Sequence, residues 1–389
     1  MTSQELKAID QKYVANTYSR FDLCIEQGGG ATCRSPEGKE YIDFSSGIGV
    51  DSLGFCDPDW VAAVGAQAAK LQHASNLFYT ESCALLAKEL CERTGMKKVF
   101  FGNSGAEANE GAIKAARKYS FDKYGRGRDK IVALQNSFHG RTMATLSATG
   151  QDVFHNYFFP FVEGFEFVPA GDFARLEAAA DNKTCAVMLE LIQGEGGVIA
   201  LDADYVRKVA ALCREKDVLL VVDEVQSGVG RTGKLLASMN YGIAPDIVTL
   251  AKALGGGLPI GAVLFGEKTE KTLGFGDHGS TFGGNPVVCA GALAVLKKLD
   301  DNMLRTVAEK GKYFREKLSA MPGVAGVSGL GMMIGISLAH GTSKEAAKAA
   351  IENGLIVLTA KEKLRLLPPL TISYGEIDRG LAILSKVVG

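Results

Sequence analysis

The chain has 389 residues, 47% of them hydrophobic, and 43 Lys and Arg stand against 44 Asp and Glu for a formal net charge of −1. That length can bury a large core and suggests two domains, or one large domain with an appendage. The balanced charge argues against nucleic acid or any other polyanionic partner.

The N-terminal stretch MTSQELKAIDQKY is polar and charged and lacks the apolar core of a signal peptide. No segment approaches the roughly 20 apolar residues of a membrane span, so a cytoplasmic protein without membrane contact is expected. The 8 cysteines are scattered with no C-x-x-C and no His at ligand spacing. They read as free thiols in a reducing compartment, and no metal is expected.

Residues 1–50 carry strand-like pieces at 21–25 and 41–44, broken by Gly28-Gly29-Gly30 and Pro36-Glu37-Gly38. Helical spacing follows over 59–71 and 82–93. From there the pattern alternates: strand-like runs at 99–101, 131–134, 165–168, 186–191, 218–222, 247–250 and 262–265 are mostly separated by segments rich in Ala, Leu, Lys and Glu. Seven strands in this alternation predict an α/β fold, a mostly parallel seven-stranded sheet flanked by helices. Beyond Pro286 the spacing predicts one long helix to about 318, strands at 329–338, 356–359 and 364–372, and a helix at 343–352. The expected division is an N-terminal segment 1–50 belonging to a small α+β domain, a large domain 51–285, and the C-terminal part of the small domain, 286–389.

Two stretches carry the clearest chemistry. VLLVVDEVQSGVGRTG (218–233) and IVTLAKALGGG (247–257) each run as buried aliphatic residues into one ionisable group, Asp223 and Lys252, and then into glycines. In open α/β sheets ligands bind beyond the carboxyl ends of the strands, so a carboxylate and an amine would meet at one edge.

Upstream, GNSGAEANEGAIKAARKY (102–119) holds the S-x-x-E of a capping box at Ser104 and Glu107 and predicts a helix from about Gly105. Its free N–H groups would suit a phosphate, with Gly105 and Ala106 letting the backbone come close. The same pattern also makes an ordinary capped helix. In NSFHGRT (136–142), Phe138 could stack on a flat ligand and Arg141 fork onto a carboxylate, or the stretch is simply a polar loop. LELIQGEGGVIA (189–200) places Gln193 and Glu195 among glycines, and spacing does not say whether the carboxylate is solvated or a counter-ion. GSTFGGNP (279–286) offers hydroxyls to a phosphate, and Arg365 is an isolated cation in an apolar strand that needs a partner or a ligand.

A phosphate-holding helix, a stacking aromatic, an aspartate and a strand-end lysine are the parts that pyridoxal 5'-phosphate requires. The lysine would carry it covalently and the aspartate would keep the ring nitrogen protonated. An aspartate with an unperturbed pKa of about 3.9 is anionic at neutral pH and suits that role.

With YIDFSSGIGVDSLG, NSGAEANE, NSFHGRT, IQGEGG, VDEVQSGVGRTG, AKALGGGLPIGA, TFGGNP and LRLLPPL in order along nearly the whole chain, the sequence resembles the class III aminotransferases of fold type I, and within them most resembles the acetylornithine aminotransferases. The resemblance implies that Lys252 carries the cofactor, Asp223 pairs with the ring nitrogen and Gln226 bonds the ring hydroxyl. It further implies that Phe138 stacks on the ring, Ser104, Gly105 and Ala106 hold the phosphate, and Thr281 reaches it from a second subunit of a homodimer with shared sites. Arg141 would take the distal substrate carboxylate and Arg365 the α-carboxylate of glutamate or 2-oxoglutarate. Glu195 would pair with Arg365 when the donor offers nothing there. GFCDP (54–58) departs from the usual G-H-x-H-P, and Leu191 stands where proline is usual; neither replaces a residue with a chemical role.

The expected reaction is transfer of the δ-amino group of N2-acetyl-L-ornithine to 2-oxoglutarate, in arginine biosynthesis. Succinylornithine, ornithine and 4-aminobutyrate aminotransferases are the sibling alternatives, and a non-catalytic nucleotide-binding α/β protein is the remote one. The loop FSSGIGV (44–50) lacks the tyrosine with which ornithine enzymes usually hold a free amino-acid head, which favours an acylated donor.

Overall fold

The computed structural model describes residues 1–389. Its central sheet is built from β1 (Lys98–Gly102), β2 (Lys130–Leu134), β3 (Phe165–Val168), β4 (Thr184–Leu189), β5 (Leu219–Asp223), β6 (Ile247–Leu250) and β7 (Gly261–Phe265). The spatial order is β1-β7-β6-β5-β4-β2-β3. β7 is antiparallel to both of its neighbours and every other pairing is parallel. The carboxyl ends of β1, β2, β4, β5 and β6 therefore share one edge. That edge is where a parallel sheet places its ligand.

The strands are apolar throughout because both faces are covered. Helix α1 (Gly105–Tyr124) sends Ala108, Ala112 and Ala116 against Ile131, Ala186, Leu219, Val221 and Val263. The alternate residues Val132, Val187, Leu220 and Val222 pack the other way, against Val206, Val209 and Leu212 of the helix Ala203–Glu215. Side chains alternate across a strand, so odd and even positions feed two separate cores.

Two smaller sheets lie outside this layer. In one, Gln27–Gly29, Thr32–Arg34 and Glu40–Asp43 pair antiparallel, and Leu355–Ile356 from far along the chain joins Glu40–Asp43 in parallel. The other is antiparallel, formed by Val324–Leu330, Met333–Leu338, Lys363–Leu366 and Leu358–Ala360, with the helices Asp301–Ser319, Ser343–Glu352 and Tyr374–Val388 packed around these sheets. N-terminal and C-terminal segments thus share a sheet. No helix is long and apolar enough to cross a membrane.

Several expected elements differ in detail. Residues 21–25 form no strand, and Phe21 and Ile25 are exposed. The long helix after Pro286 is two helices, Pro286–Lys298 and Asp301–Ser319. The break falls where the Asp300 carboxylate accepts the Met303 N–H at 2.7 Å, an N-cap that starts a new helix. The strand expected at 329–338 is half of a hairpin that turns at Gly331, whose φ of +58° suits glycine. Residues 356–359 divide between the two small sheets, and the 364–372 run leaves the ladder after Leu366, ahead of Pro368 and Pro369, which have no N–H to donate. β4 ends at Leu189, so Glu190 and Leu191 lie in the loop beyond it.

Candidate active site

A cavity of about 440 Å³ opens at the shared strand edge, lined by residues that include Ser104, Gly105, Ala106, Phe138, Arg141, Glu190, Asp223, Gln226 and Lys252. One wall is the N-terminus of α1. The Ser104 hydroxyl accepts the Glu107 N–H at 3.1 Å, as a cap should. The reciprocal half of the expected capping box is displaced by one residue, because the Glu107 carboxylate binds the backbone N–H of Asn103 instead. As the first two helical residues, Gly105 and Ala106 have N–H groups with no acceptor inside the helix. A Cβ on Gly105 would stand 2.7 Å from Val225 Cγ1, so the close approach of the β5 loop requires glycine here.

Asp223, the last residue of β5, is 4% exposed and hydrogen-bonded through both oxygens. Its Oδ2 accepts from Asn109 Nδ2 at 2.7 Å and lies 2.8 Å from His139 Nδ1, while Oδ1 accepts the Val225 N–H at 2.9 Å. The Asn109 amide is oriented in turn: its Oδ1 accepts the Thr249 hydroxyl at 2.7 Å and its Nδ2 also donates to the His139 carbonyl at 2.8 Å. Burial works to lower the His139 pKa, but the hydrogen bond and charge of Asp223, with Glu190 behind them, outweigh it and the net shift is upward. An imidazole whose cationic form is favoured thus faces the Asp223 carboxylate. His139 Nε2 is buried without a partner.

Lys252 follows β6 with a left-handed φ of +45°, an unusual conformation for a lysine that turns it out of the strand. It lines the cavity. Burial, with Arg365 nearby, pushes its amine below the ordinary lysine range, against the opposing charge of Glu195. Such an amine spends more of its time neutral, as a proton acceptor must.

Phe138 is held from behind: its N–H donates to Glu190 Oε1 at 2.9 Å, and Glu190 Oε2 accepts the Gly194 N–H at 3.2 Å. Glu190 is buried, and its carboxyl is pushed up to about 7 by that burial and by Asp223. Arg141 is exposed at the cavity mouth, 5.5 Å from the centroid of Phe138 and 4.2 Å from that of Phe154, with no ion pair or hydrogen bond of its own. Aromatic faces hold the guanidinium without using its donors.

Arg365, from Lys363–Leu366, is 3% exposed and stands behind Gln226. Its Nη1 donates to Glu195 Oε1 at 2.6 Å and lies 3.4 Å from Gln226 Oε1, while its Nε is buried and unpartnered.

The structure thus brings Lys252, Asp223, Gln226, Ser104, Gly105, Ala106, Phe138 and Arg141 to one cavity, and places the Arg365–Glu195 pair next to it. Thr281 is exposed and lies outside the cavity of its own chain, while its neighbour Ser280 accepts from Asn103 Nδ2 at 3.2 Å. Gln193, the other polar residue of the glycine-rich turn, bonds the Gln135 carbonyl at 2.8 Å and is structural.

Glu190, Asn109 and the His139–Asp223 contact were not anticipated. Glu190 carried a readable signal, a carboxylate directly after an all-buried strand, as with Asp223. Asn109 carried none, because only the packing of α1 on β6 shows that it faces the sheet edge.

The residues present fit pyridoxal 5'-phosphate. They supply a cavity-facing amine, a carboxylate, a flat ring, and a bare helix N-terminus behind a glycine whose missing Cβ leaves room.

Comparison with known proteins agrees with this chemistry. The model of the family described as aminotransferase class-III matches residues 13–388. The acetylornithine aminotransferase of Haemophilus ducreyi is 53% identical over 100% of this chain and 99% of its own length. That of Caldanaerobacter subterraneus is 46% identical over 97% of this chain and 98% of its own. Among solved structures, ornithine aminotransferase from Toxoplasma gondii superposes with a TM-score of 0.95 at 33% identity, covering 100% of this chain and 95% of that one. N-acetylornithine aminotransferase from Stenotrophomonas maltophilia does so at 0.85 and 36%, covering 98% of each.

Proposed function

Because the chain belongs to the class-III aminotransferases, a family of pyridoxal-phosphate-dependent enzymes, we propose that it moves the δ-amino group of N2-acetyl-L-ornithine to 2-oxoglutarate. The products are N-acetyl-L-glutamate 5-semialdehyde and L-glutamate, and the step belongs to arginine biosynthesis. The bound cofactor takes over the amino group and its ring draws off the electrons left on the substrate carbon.

Lys252 would hold the cofactor through its amine and, when that amine is free, would act as a general base. Its Nζ would remain tethered beside the reacting carbon to take the proton there, helped by burial that favours the neutral amine. Asp223 would hold the ring nitrogen in its charged form, and His139 and Asn109 hold Asp223. Phe138 would cover one ring face and Gln226 would bond the ring hydroxyl. Ser104, Gly105 and Ala106 take the phosphate at the helix N-terminus. Arg141 takes the donor's carboxylate at the cavity mouth.

The observation that carries the substrate reading is the Arg365–Glu195 pair. An ω-amine donor places no carboxylate at Arg365, whereas 2-oxoglutarate places one there. A buried arginine left unpaired in the first half-reaction would be destabilising, and Glu195 removes that difficulty by pairing with it until the second substrate arrives. The loop 44–50 brings only Val50 to the cavity wall, and no tyrosine, which favours the acylated donor over free ornithine.

The working unit is a homodimer in which Thr281 of the second copy completes the phosphate site. Leu77, Phe78, Tyr79, Phe275 and Phe282, all strongly exposed in the single chain, supply an apolar surface for that contact. Eight free cysteines, five of them buried, fit the reducing cytoplasm.

The test is a donor panel of acetylornithine, succinylornithine, ornithine and 4-aminobutyrate, each with 2-oxoglutarate. Acetylornithine should give the highest kcat/KM. A higher value for any other donor overturns the assignment of the substrate.

A further inference from the structure

We propose that Gly194 and Gln226 link the Arg365–Glu195 pair to the cofactor ring, so that a carboxylate seated on Arg365 is sensed at the ring before any bond is broken. This rests on the pyridoxal-phosphate reading above and adds to it a positioning role for two residues.

The Gln226 side chain is 8% exposed and its amide is held from two sides. On one side, Oε1 lies 3.4 Å from Arg365 Nη1, the same nitrogen that donates to Glu195 at 2.6 Å. A guanidinium only donates, so the amide must turn its oxygen towards Arg365. Its NH2 then points elsewhere, as the only donor that Gln226 can offer the oxygen of a ring hydroxyl.

On the other side stands the α-carbon of Gly194. A Cβ there would lie 2.5 Å from Gln226 Nε2 and 2.6 Å from both Cδ and Oε1. Gly194 does not have a left-handed φ, so its own backbone does not demand glycine. The amide of Gln226 does. Gly194 is itself tethered, since its N–H donates to Glu190 at 3.2 Å, and the next residue is Glu195. Arg365 therefore touches the carboxamide directly, and Glu195 directly follows the glycine packed on its other side.

When a substrate carboxylate engages Arg365, it competes for the donors that Glu195 and Gln226 share. The 3.4 Å contact to Gln226 is the longer of the two and yields first. Losing it releases the amide from the orientation that aims its NH2 at the ring, and the electronic state of the ring changes with the state of the pair. The arrival of the second substrate would thereby retune the cofactor for the return half-reaction.

Glutarate tests this, because it carries the two carboxylates of 2-oxoglutarate but no keto or amino group and cannot react. It is added to the holoenzyme at fixed pH while the visible absorption of the cofactor is followed, and its Kd is measured by calorimetry. In the wild type the band should shift as glutarate saturates. In Gly194→Ala, whose methyl meets the Gln226 amide first, glutarate should bind with a Kd within about threefold of the wild type, under 1 kcal/mol, yet the shift should be lost.

If Gly194→Ala does not fold or does not hold cofactor, Gln226→Met, which keeps the shape and removes the amide, serves in its place with the same expectation. A wild-type band that stays still at saturating glutarate overturns the proposal. So does a full shift in the variant. A purified protein that stays colourless with added pyridoxal phosphate would instead remove the cofactor reading beneath it.

Discussion

Arg365 Nη1 and Glu195 Oε1 stand 2.6 Å apart, with the guanidinium almost fully buried and the carboxylate partly open to solvent. The asymmetry gives the pair a direction. The arginine is fixed by its strand, whereas Glu195 sits in a glycine-rich turn and is the partner able to leave. A fixed cation with a removable counter-ion can serve two substrates that differ in whether they bring a carboxylate to this point.

Replacing the removable partner should change that selection. Glu195→Gln leaves Arg365 without its counter-charge, so donors that bring a carboxylate to it gain at the expense of those that do not. The ratio of kcat/KM for glutamate over acetylornithine is expected to rise about tenfold, which is about 1.4 kcal/mol of discrimination. Half-reaction kinetics with each amino donor alone measure it, and an unchanged ratio would show that Glu195 does not compete for Arg365.

Lys252→Ala should still bind pyridoxal phosphate through Asp223, Phe138 and the α1 N-terminus, but the cofactor should dialyse away more readily than from the wild type. Turnover should fall by a factor on the order of 10³ or more, since both the covalent anchor and the general base are gone. Absorption after dialysis and steady-state rates read the two effects separately. Wild-type-like turnover would refute the role.

Glu224, next to Asp223, makes stability depend on pH. Its carboxylate accepts the N–H groups of Ala237 and Ser238, the latter at 2.9 Å, yet burial pushes its pKa up to about 7 from an ordinary 4.5. The raised value sets the sign. The neutral carboxyl is favoured in the folded chain, so its contribution is full below about 4.5 and is lost as pH climbs towards 7. Glu224→Gln cannot ionise, and the variant should therefore gain on the wild type across that window by up to about 3 kcal/mol and then level off. Denaturant unfolding of the two proteins at several pH values measures the difference, and parallel curves would contradict it.

The proposed homodimer would pair through the exposed apolar surface. The 41.2 kDa chain should sediment as a dimer. Tyr79→Asp combined with Phe275→Asp, at side chains that are fully exposed in the single chain, should shift it towards monomer. Because Thr281 would come from the second copy, the monomer should also hold pyridoxal phosphate more weakly. A doubly substituted protein that is still dimeric would place the interface elsewhere.

The seven strands of the central sheet were legible because each is buried on both faces and reads as an unbroken apolar run between helical segments. The ends of β5 and β6 were legible for the same reason: Asp223 and Lys252 interrupt such runs, and a charge at that point has few places to go. The small sheets were harder to read, since short strands such as Leu355–Ile356 and Leu358–Ala360 owe their existence to partners far away in the chain, and no local pattern records the pairing. The break at Asp300 was readable in principle, because an aspartate ahead of a new apolar period is a helix start.

By itself, then, the sequence determined the layer architecture and which ionisable groups stand at the two strand ends, because hydrophobic periodicity and residue type are local properties. Only the tertiary structure decided what surrounds them. Asn109 reaches Asp223 across 114 positions of sequence, Arg365 reaches Glu195 across 170, and the Gln226 amide fills the space that Gly194 leaves open. Contacts of that separation are fixed by how whole elements pack, so the aspartate's supports become visible only in the fold, which also gives the Arg365–Glu195 pairing implied by the family resemblance its geometry.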